Sequence, residues 1–211
     1  MGTLTFDVDI NDLDEVKDYW RDKKPIDIVV CLDSSGSMAA TDFQPNRFEA
    51  AKKAAKAFTL RKIAEHHKDR VSLLTFGGTA KVHIELTEDL DKVSKTIDSF
   101  GNQTITHTST SFFNVIKSAV DVLAKGDSRP KAIILLTDGD DWGGQDPLNA
   151  LGNKTIPIYT IGIGAAKSAA WQKDKFDEGL LKKIAKQSGG KYFHAPEVAE
   201  LVGIFENLAN L

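Results

Sequence analysis

The chain has 211 residues, 41% of them apolar, which suits one large domain, or a domain with a short extension, around a single core. With 27 basic and 30 acidic side chains the net charge is −3, so the charge favours neither nucleic acid nor an anionic membrane as a partner. The single cysteine, Cys31, excludes an internal disulfide. No run of about 18 apolar residues is present and the acidic N-terminus is unlike a signal peptide, so we expect a soluble segment that makes no membrane contact itself.

The first 24 residues are predicted to form an N-terminal extension. Residues 3–9 alternate apolar and polar side chains, as in a half-buried strand, and residues 11–20 have the composition of a short polar helix. Strand and helix patterns then alternate to the C-terminus. We therefore assign residues 1–24 to an extension and residues 25–211 to one domain.

Within that domain, apolar runs alternate with segments of helical periodicity. Buried strands are predicted at residues 26–32, 70–76, 131–137 and 155–164, with a short last strand at 191–195. Amphipathic helices are predicted at residues 47–67, 90–100, 111–125, 177–188 and 197–211. The pair Gly77-Gly78 indicates a tight turn into an antiparallel edge strand over residues 79–86.

This alternation predicts an α/β fold, Rossmann-like and doubly wound. The central sheet is expected to be mostly parallel, with one antiparallel edge strand and helices on both faces. In such sheets the loops at the carboxyl ends of the strands build the ligand site. Two polar segments occupy such positions, DSSGSM at residues 33–38 and DGDDWGG at residues 138–144.

These two segments carry acid and alcohol oxygens. Asp33, Ser35 and Ser37 have a D-x-S-x-S spacing, and alternate side chains of a tight loop can converge on one point. Asp138 follows the third buried strand, and the threonine-rich THTST, residues 106–110, precedes a helix. A site made only of oxygen ligands suits Mg²⁺, Mn²⁺ or Ca²⁺, whereas zinc usually recruits histidine or cysteine.

The charge of this predicted site indicates its use. Two carboxylates only neutralise a divalent ion, and hydroxyls are weak donors, so the cation remains electrophilic. At least one coordination position is then expected to hold water. An aspartate or glutamate of a partner protein can replace that water, which predicts a cation shared with a ligand.

DSSGSM, a threonine before the third helix and LLTDG together resemble the metal-ion-dependent adhesion site of von Willebrand factor A domains, over about residues 25–211. The resemblance implies five metal ligands, bound directly or through water: Asp33, Ser35, Ser37, Thr110 and Asp138. Thr110 is chosen by counting back from the apolar residues of the helix, and Thr108 is the alternative. The implied function is metal-dependent protein binding, with Mg²⁺ as the first candidate ion and Mn²⁺ or Ca²⁺ as alternatives.

Further segments are similar to the Bat-type, aerotolerance-associated bacterial subgroup: MAATDFQPNRFEAAK, DRVSLLTFGGTA, IILLTDG and GGKYFHA. That subgroup usually carries membrane helices beside the domain and is associated with MoxR-type AAA+ ATPases, which implies such an ATPase as a partner. This chain departs in having no membrane segment, and in having Ser109 where a glycine is usual. Its localisation is left open, including a membrane tether in a longer natural chain. Asp140 and Asp141, where the family often has asparagines, are expected to attract a cation or to repel an acidic ligand.

Two other function classes remain open at this stage, a hydrolase that uses the same oxygens and a structural scaffold whose ion is silent. No G-x-S-x-G elbow and no histidine in the context of a base accompany Ser35 or Ser37, so we predict that the chain is not an enzyme. Asp42 is expected either to support the first loop or to cap the helix that follows. Trp142 is a candidate contact residue if exposed, although packing under its loop is the commoner arrangement.

Overall fold

The computed structural model describes residues 24–65, 68–106, 109–127, 129–139, 141–164 and 177–211. Within these ranges the strands are β1 (Asp27–Asp33), β2 (Arg70–Phe76), β3 (Ala80–Thr87), β4 (Lys131–Thr137), β5 (Ile158–Ile163) and β6 (Tyr192–Ala195). The α-helices are α1 (Arg47–Glu65), α2 (Leu90–Ser99), α3 (Phe112–Ala124), α4 (Glu178–Ser188) and α5 (Val198–Leu208). The strand and helix predicted at residues 3–9 and 11–20 lie outside the described residues, so the extension and its boundary remain predictions.

The six described strands form one sheet in the order β3-β2-β1-β4-β5-β6. All neighbouring pairs are parallel except β2 and β3, which are antiparallel. β3 lies at the edge, and most of its side chains are exposed or half-buried. The predicted fold class, with its antiparallel edge strand, is therefore confirmed.

β1 shows why its sequence is uniformly apolar. Successive side chains of a strand point to opposite faces of the sheet. Ile28, Val30 and Leu32 pack in one cluster with α1, α2 and α5, and Val29 and Cys31 pack in a second cluster with α3 and α4. Each fully buried aliphatic side chain contributes roughly 1.5–3 kcal/mol to the free energy of unfolding. Burial on both faces therefore requires the continuous apolar run, as predicted.

The strand order reverses between β1 and β4. From β1 the chain continues through β2 and β3 on one side, and the later strands extend the sheet from β4 on the other. Ligands of open α/β sheets bind at such a reversal, outside the carboxyl ends of the strands. The loops after β1 and β4 therefore lie side by side where a ligand site is expected.

Local capping residues fix the start and end of several helices. Asn46, at the predicted start of the helix, accepts the backbone N–H of Glu49 at 2.8 Å with its Oδ1. Asp177 accepts the N–H of Leu180 at 2.8 Å, and α4 ends at Gly189 with a left-handed φ of 84°. Among the helices of the described ranges, none is both long and apolar enough to cross a membrane.

Candidate metal centre

Asp33 is the last residue of β1 and is fully buried. Its Oδ1 accepts the backbone N–H of Ser35 at 2.7 Å, and its Oδ2 accepts the hydroxyl of Thr137 at 2.6 Å. The backbone N–H of Ser34 donates to the carbonyl of Phe76 at 2.7 Å, which ties the loop to the end of β2. The first loop is thus held from both neighbouring strands.

The serine hydroxyls of the first loop reach the end of β4. A short 3₁₀ helix, Gly36–Ala39, turns the chain directly after Ser35. The Oγ atoms of Ser35 and Ser37 are 3.0 Å apart, and the Ser37 hydroxyl donates to Asp138 Oδ1 at 2.7 Å. Asp33, Ser35, Ser37 and Asp138 therefore form one continuous set of oxygens across two loops.

Thr110 completes this set from the loop before α3. A β-carbon built on Gly139 would lie 3.4 Å from Thr110 Oγ1, 3.9 Å from Thr137 Oγ1 and 4.0 Å from Asp33 Oδ2. The space beside Gly139 is therefore surrounded by oxygens from three segments. Thr110 is 4% exposed, and its carbonyl accepts the backbone N–H of Trp142 at 2.9 Å. The alternative, Thr108, lies outside the described residues.

Burial makes the two carboxylates harder to ionise than exposed aspartates. Burial, and then the charge of Asp138, raise the pKa of Asp33 from 3.8 to about 7. Burial also raises the pKa of Asp138, although hydrogen bonds from Arg47 and Ser37 act in the opposite direction. Desolvation and like charge both oppose ionisation. A bound cation would remove both penalties.

The donor set fits a hard divalent cation. Two carboxylates and three hydroxyls face one another, and all of them offer oxygen atoms, which hard divalent cations prefer. Across the described ranges, no group of three or more histidine, cysteine, aspartate or glutamate side chains is arranged to hold a metal. An ion at this site would thus depend on the serine and threonine oxygens as well as on the two aspartates.

Arg47 is a site neighbour that the sequence analysis missed. Its Nη1 donates to Asp138 Oδ2 at 2.7 Å, while Nε and Nη2 donate to the two oxygens of Asp42 at 2.8 and 2.7 Å. Asp42 is therefore a hydrogen-bond acceptor behind the site, as one of its two expected roles had it, but it acts through Arg47 on Asp138 and not on the first loop. Thr137 was missed as well: its hydroxyl links Asp33 to the backbone N–H of Gly139.

The loop after β4 is anchored to the start of α3. Asp141 Oδ1 accepts the backbone N–H groups of Phe112 and Gly143 at 3.0 and 3.1 Å, so this carboxylate is occupied at the helix N-terminus. Asp140 lies outside the described residues. Trp142 is 72% exposed, so the expectation that it packs under its loop is wrong.

A cleft of about 190 Å³ opens beside the oxygens of the candidate site. Its lining residues come from the β2–β3 turn, the loop and first turn of α3, and the loop after β4: Gly78, Ser109, Thr110, Ser111, Phe113, Asn114, Trp142, Gly143 and Gln145. Thr110 belongs both to this cleft and to the oxygen set. The cleft and the oxygen set therefore adjoin at Thr110.

The sequence profile of the von Willebrand factor type A domain matches residues 27–207. The chain belongs to the von Willebrand factor type A domain family. A curated relative, a UPF0353 protein of Mycolicibacterium vanbaalenii, is 30% identical over 199 residues, covering 86% of this chain and 58% of the relative. The UPF0353 protein of Mycobacterium marinum is 29% identical over the same shares. The chain thus spans somewhat more than half the length of these relatives.

Solved structures with this type A fold include bacterial aerotolerance proteins. An aerotolerance-related membrane protein of Bacteroides fragilis has a TM-score of 0.72 at 20% identity, covering 88% of this chain and 98% of that one. BatB of Bacteroides thetaiotaomicron has a TM-score of 0.71 at 22% identity, with the same coverage. Proximal thread matrix protein 1 of the mussel byssus was solved with zinc in its metal-ion-dependent adhesion site (MIDAS) motif. It has a TM-score of 0.70 at 20% identity, covering 88% of this chain and 45% of that one. The resemblance to type A domains is confirmed by the sequence profile, and the structural neighbours include Bat-type proteins. At these identities the structures establish the fold alone.

Proposed function

We propose that this type A domain binds a partner protein through a divalent cation, most simply Mg²⁺, with Mn²⁺ or Ca²⁺ as alternatives. The proposed ligands, direct or through water, are Asp33, Ser35, Ser37, Thr110 and Asp138. When bound, the ion supplies an electrophilic position that an aspartate or glutamate of the partner can occupy. One observation carries the proposal: among the described residues, buried Asp33 has a carboxylate neighbour and hydroxyl neighbours but no cationic side chain.

The hydroxyls suit this role because each can accept or donate. Ser37 now donates to Asp138, and rotation of its proton would leave an oxygen lone pair for a ligand. The hydrogen bonds of Ser35 and Ser37 run to each other and to Asp138. A nucleophilic serine usually has a histidine or lysine as its base, whereas Ser37 bonds a carboxylate that Arg47 also holds. The arrangement therefore supports binding over hydrolysis.

The partner surface is proposed to include Trp142 and the cleft beside Thr110. An exposed tryptophan next to a charged contact is a frequent source of binding energy at interfaces. The cleft residues Ser109, Asn114 and Gln145 add uncharged hydrogen-bonding groups. When a partner carboxylate binds the ion, the partner residues beside it would contact Trp142. The site would then select partners by these neighbouring residues as well as by charge.

Calorimetric titration of Mg²⁺, Mn²⁺ and Ca²⁺ into chelator-stripped protein tests the metal step. We expect saturable binding of a single ion per chain, tightened by acetate as a stand-in for the partner carboxylate. Ser35→Ala/Ser37→Ala should lose it, while the matched control Thr96→Ala/Ser99→Ala, which removes two exposed hydroxyls on α2, should keep it. If the wild-type protein binds no ion, either with or without acetate, the proposal is wrong.

A MoxR-type AAA+ ATPase is the partner that we propose to test first, supported by the fold shared with the aerotolerance proteins. A purified MoxR-type ATPase should be retained by the immobilised wild-type domain in Mg²⁺ and released by chelator. Asp138→Ala should abolish retention together with ion binding. Retention that survives Asp138→Ala would instead favour the scaffold with a silent ion.

A further inference from the structure

Arg47 places a permanent positive charge at the candidate metal site. It is the first residue of α1, and its guanidinium lies between buried Asp138 and half-exposed Asp42. One nitrogen, Nη1, bonds Asp138, and the other two bond both oxygens of Asp42. Arg47 donates all three of these hydrogen bonds, and a guanidinium stays charged at every relevant pH.

The residue that follows β5 leaves room for this guanidinium. Gly164 follows β5 with a φ of 125°, and a β-carbon there would come within 3.2 Å of Arg47 Nη2. A side chain at position 164 would therefore meet the guanidinium. The backbone N–H of Arg47 also donates to the carbonyl of Ala40 at 3.0 Å, which fixes the start of α1 against the first loop.

Arg47 differs from Ser37, the other group that holds Asp138. Ser37 occupies Oδ1 and Arg47 occupies Oδ2, so both oxygens of Asp138 are engaged. The serine can turn its proton away and itself bind an ion, but a guanidinium has no acceptor atom. Its charge repels a divalent cation at the same carboxylate.

We propose that Arg47 is a built-in competitor of the metal ion for Asp138, and that Asp42 sets the strength of the competition. The inference rests on the proposed function. Arg47 stabilises Asp138 while the ion is absent and lowers the affinity for the ion alone. Asp42 binds the guanidinium on its far side and limits its hold on Asp138. Arg47 is thus a positioning residue that sets ion affinity without ligating the ion.

Titration of Mn²⁺ and Mg²⁺ into chelator-stripped protein tests this inference with two variants of opposite sign. Arg47→Met removes the competitor and should tighten ion binding at least about tenfold. Asp42→Asn removes the negative charge on the far side of Arg47, so that Arg47 pairs with Asp138 alone. This variant should weaken ion binding by about threefold or more. Arg70→Met is the matched control, because it removes an arginine paired with buried Asp27 at the other end of β1. Its ion affinity should equal that of the wild type.

Urea unfolding in chelator separates competition from a structural role. Arg47→Met should lower the free energy of unfolding of the metal-free protein, because Asp138 loses its cation, while the same variant binds the ion more tightly. If Arg47 had a structural role alone, Arg47→Met would lower both the free energy of unfolding and the ion affinity. The tightening should also persist from about 0.1 M to about 0.5 M KCl, because a contact between partly buried charges is little screened.

The outcomes keep this inference distinct from the proposed function. If wild-type protein binds the ion and Arg47→Met binds it equally or more weakly, the competition is wrong and the metal site stands. A tightening that vanishes in high salt would reduce Arg47 to a long-range charge and overturn the inference. If no ion binds to either protein, with or without acetate, both proposals fail.

Discussion

The two ends of β1 place the same residue type in opposite electrostatic settings. Asp27 begins the strand and Asp33 ends it, and both are fully buried. Asp27 accepts two hydrogen bonds from Arg70, one from Nε at 2.7 Å and one from Nη2 at 2.8 Å. Asp33 is bound by one hydroxyl and one backbone amide. The buried aspartate at the start of β1 therefore accepts hydrogen bonds from a cation, whereas the one at its end accepts them from neutral donors.

The other buried aspartates at the two ends of β1 differ in the same way in their pairing with cations. At the amino end, buried Asp69 has its own cation, because Lys62 Nζ lies 2.5 Å from Asp69 Oδ2. At the carboxyl end, Arg47 is divided between Asp42 and Asp138. Buried charge is thus paired within the chain at the amino end. At the carboxyl end a deficit of positive charge remains, which the proposed ion would fill.

The largest effect is expected from breaking a pair at the amino end. Lys62→Met leaves Asp69 buried without a cation and should lower the free energy of unfolding by about 3–5 kcal/mol. Urea unfolding with and without Mg²⁺ measures the loss, which should not depend on the ion. Lys62→Met/Asp69→Asn should recover most of it, because the amide oxygen still accepts the N–H of Ile26. A loss below about 1 kcal/mol would mean that the pair resembles an exposed one.

At the carboxyl end, the stability of the metal-free protein should depend on pH. The pKa of Asp33 is raised from 3.8 to about 7 in the folded state, so the folded chain holds a proton that the unfolded chain has lost. Its contribution to stability is therefore lost as pH rises from about 4 to about 7, by an amount on the order of 2–4 kcal/mol. Asp33→Asn, neutral at every pH, should flatten this slope in urea titrations with chelator. An unchanged slope in that variant would contradict the charge deficit.

A smaller effect should follow from changing the geometry of a pair while keeping its charge. Arg70→Lys keeps a cation beside Asp27 but cannot make both hydrogen bonds, so we expect a loss of about 1 kcal/mol. Chemical unfolding measures this loss, and ion titration should show unchanged affinity. Weaker ion binding in Arg70→Lys would show that the two ends of β1 are coupled.

The smallest effect on stability is expected at Trp142. Trp142→Ala should change the free energy of unfolding by less than about 0.5 kcal/mol, because the side chain is 72% exposed. Ion affinity should also stay the same, whereas partner binding should fall by about tenfold or more. Leu60→Ala is the matched control, since Leu60 is 52% exposed on α1. Equal partner affinities of the two variants would remove Trp142 from the binding surface.

Much of this arrangement follows from strand ends in the sequence. The uniform apolar runs predict β1 and β4, and parallel neighbours bring Asp33 and Asp138 to one edge of the sheet. The direction of the Arg47 side chain could not be predicted, because an arginine in the first turn of a helix usually points into solvent. Trp142 was equally ambiguous, since its loop is anchored to the start of α3 by hydrogen bonds of Asp141 and Thr110, which the sequence does not show. Side-chain directions in loops depend on tertiary contacts that periodicity does not encode.

The hydrogen bond from Thr137 to Asp33 joins residues 104 positions apart, and the one from Ser37 to Asp138 spans 101. Closing loops of this length carries a high entropic cost until the intervening strands have paired. During synthesis the first loop therefore lacks Thr137 and Asp138 until about 100 further residues have been translated. Ion occupancy would then report on completed folding, and a chain truncated before β4 would leave Asp33 and its serines as an ordinary polar turn.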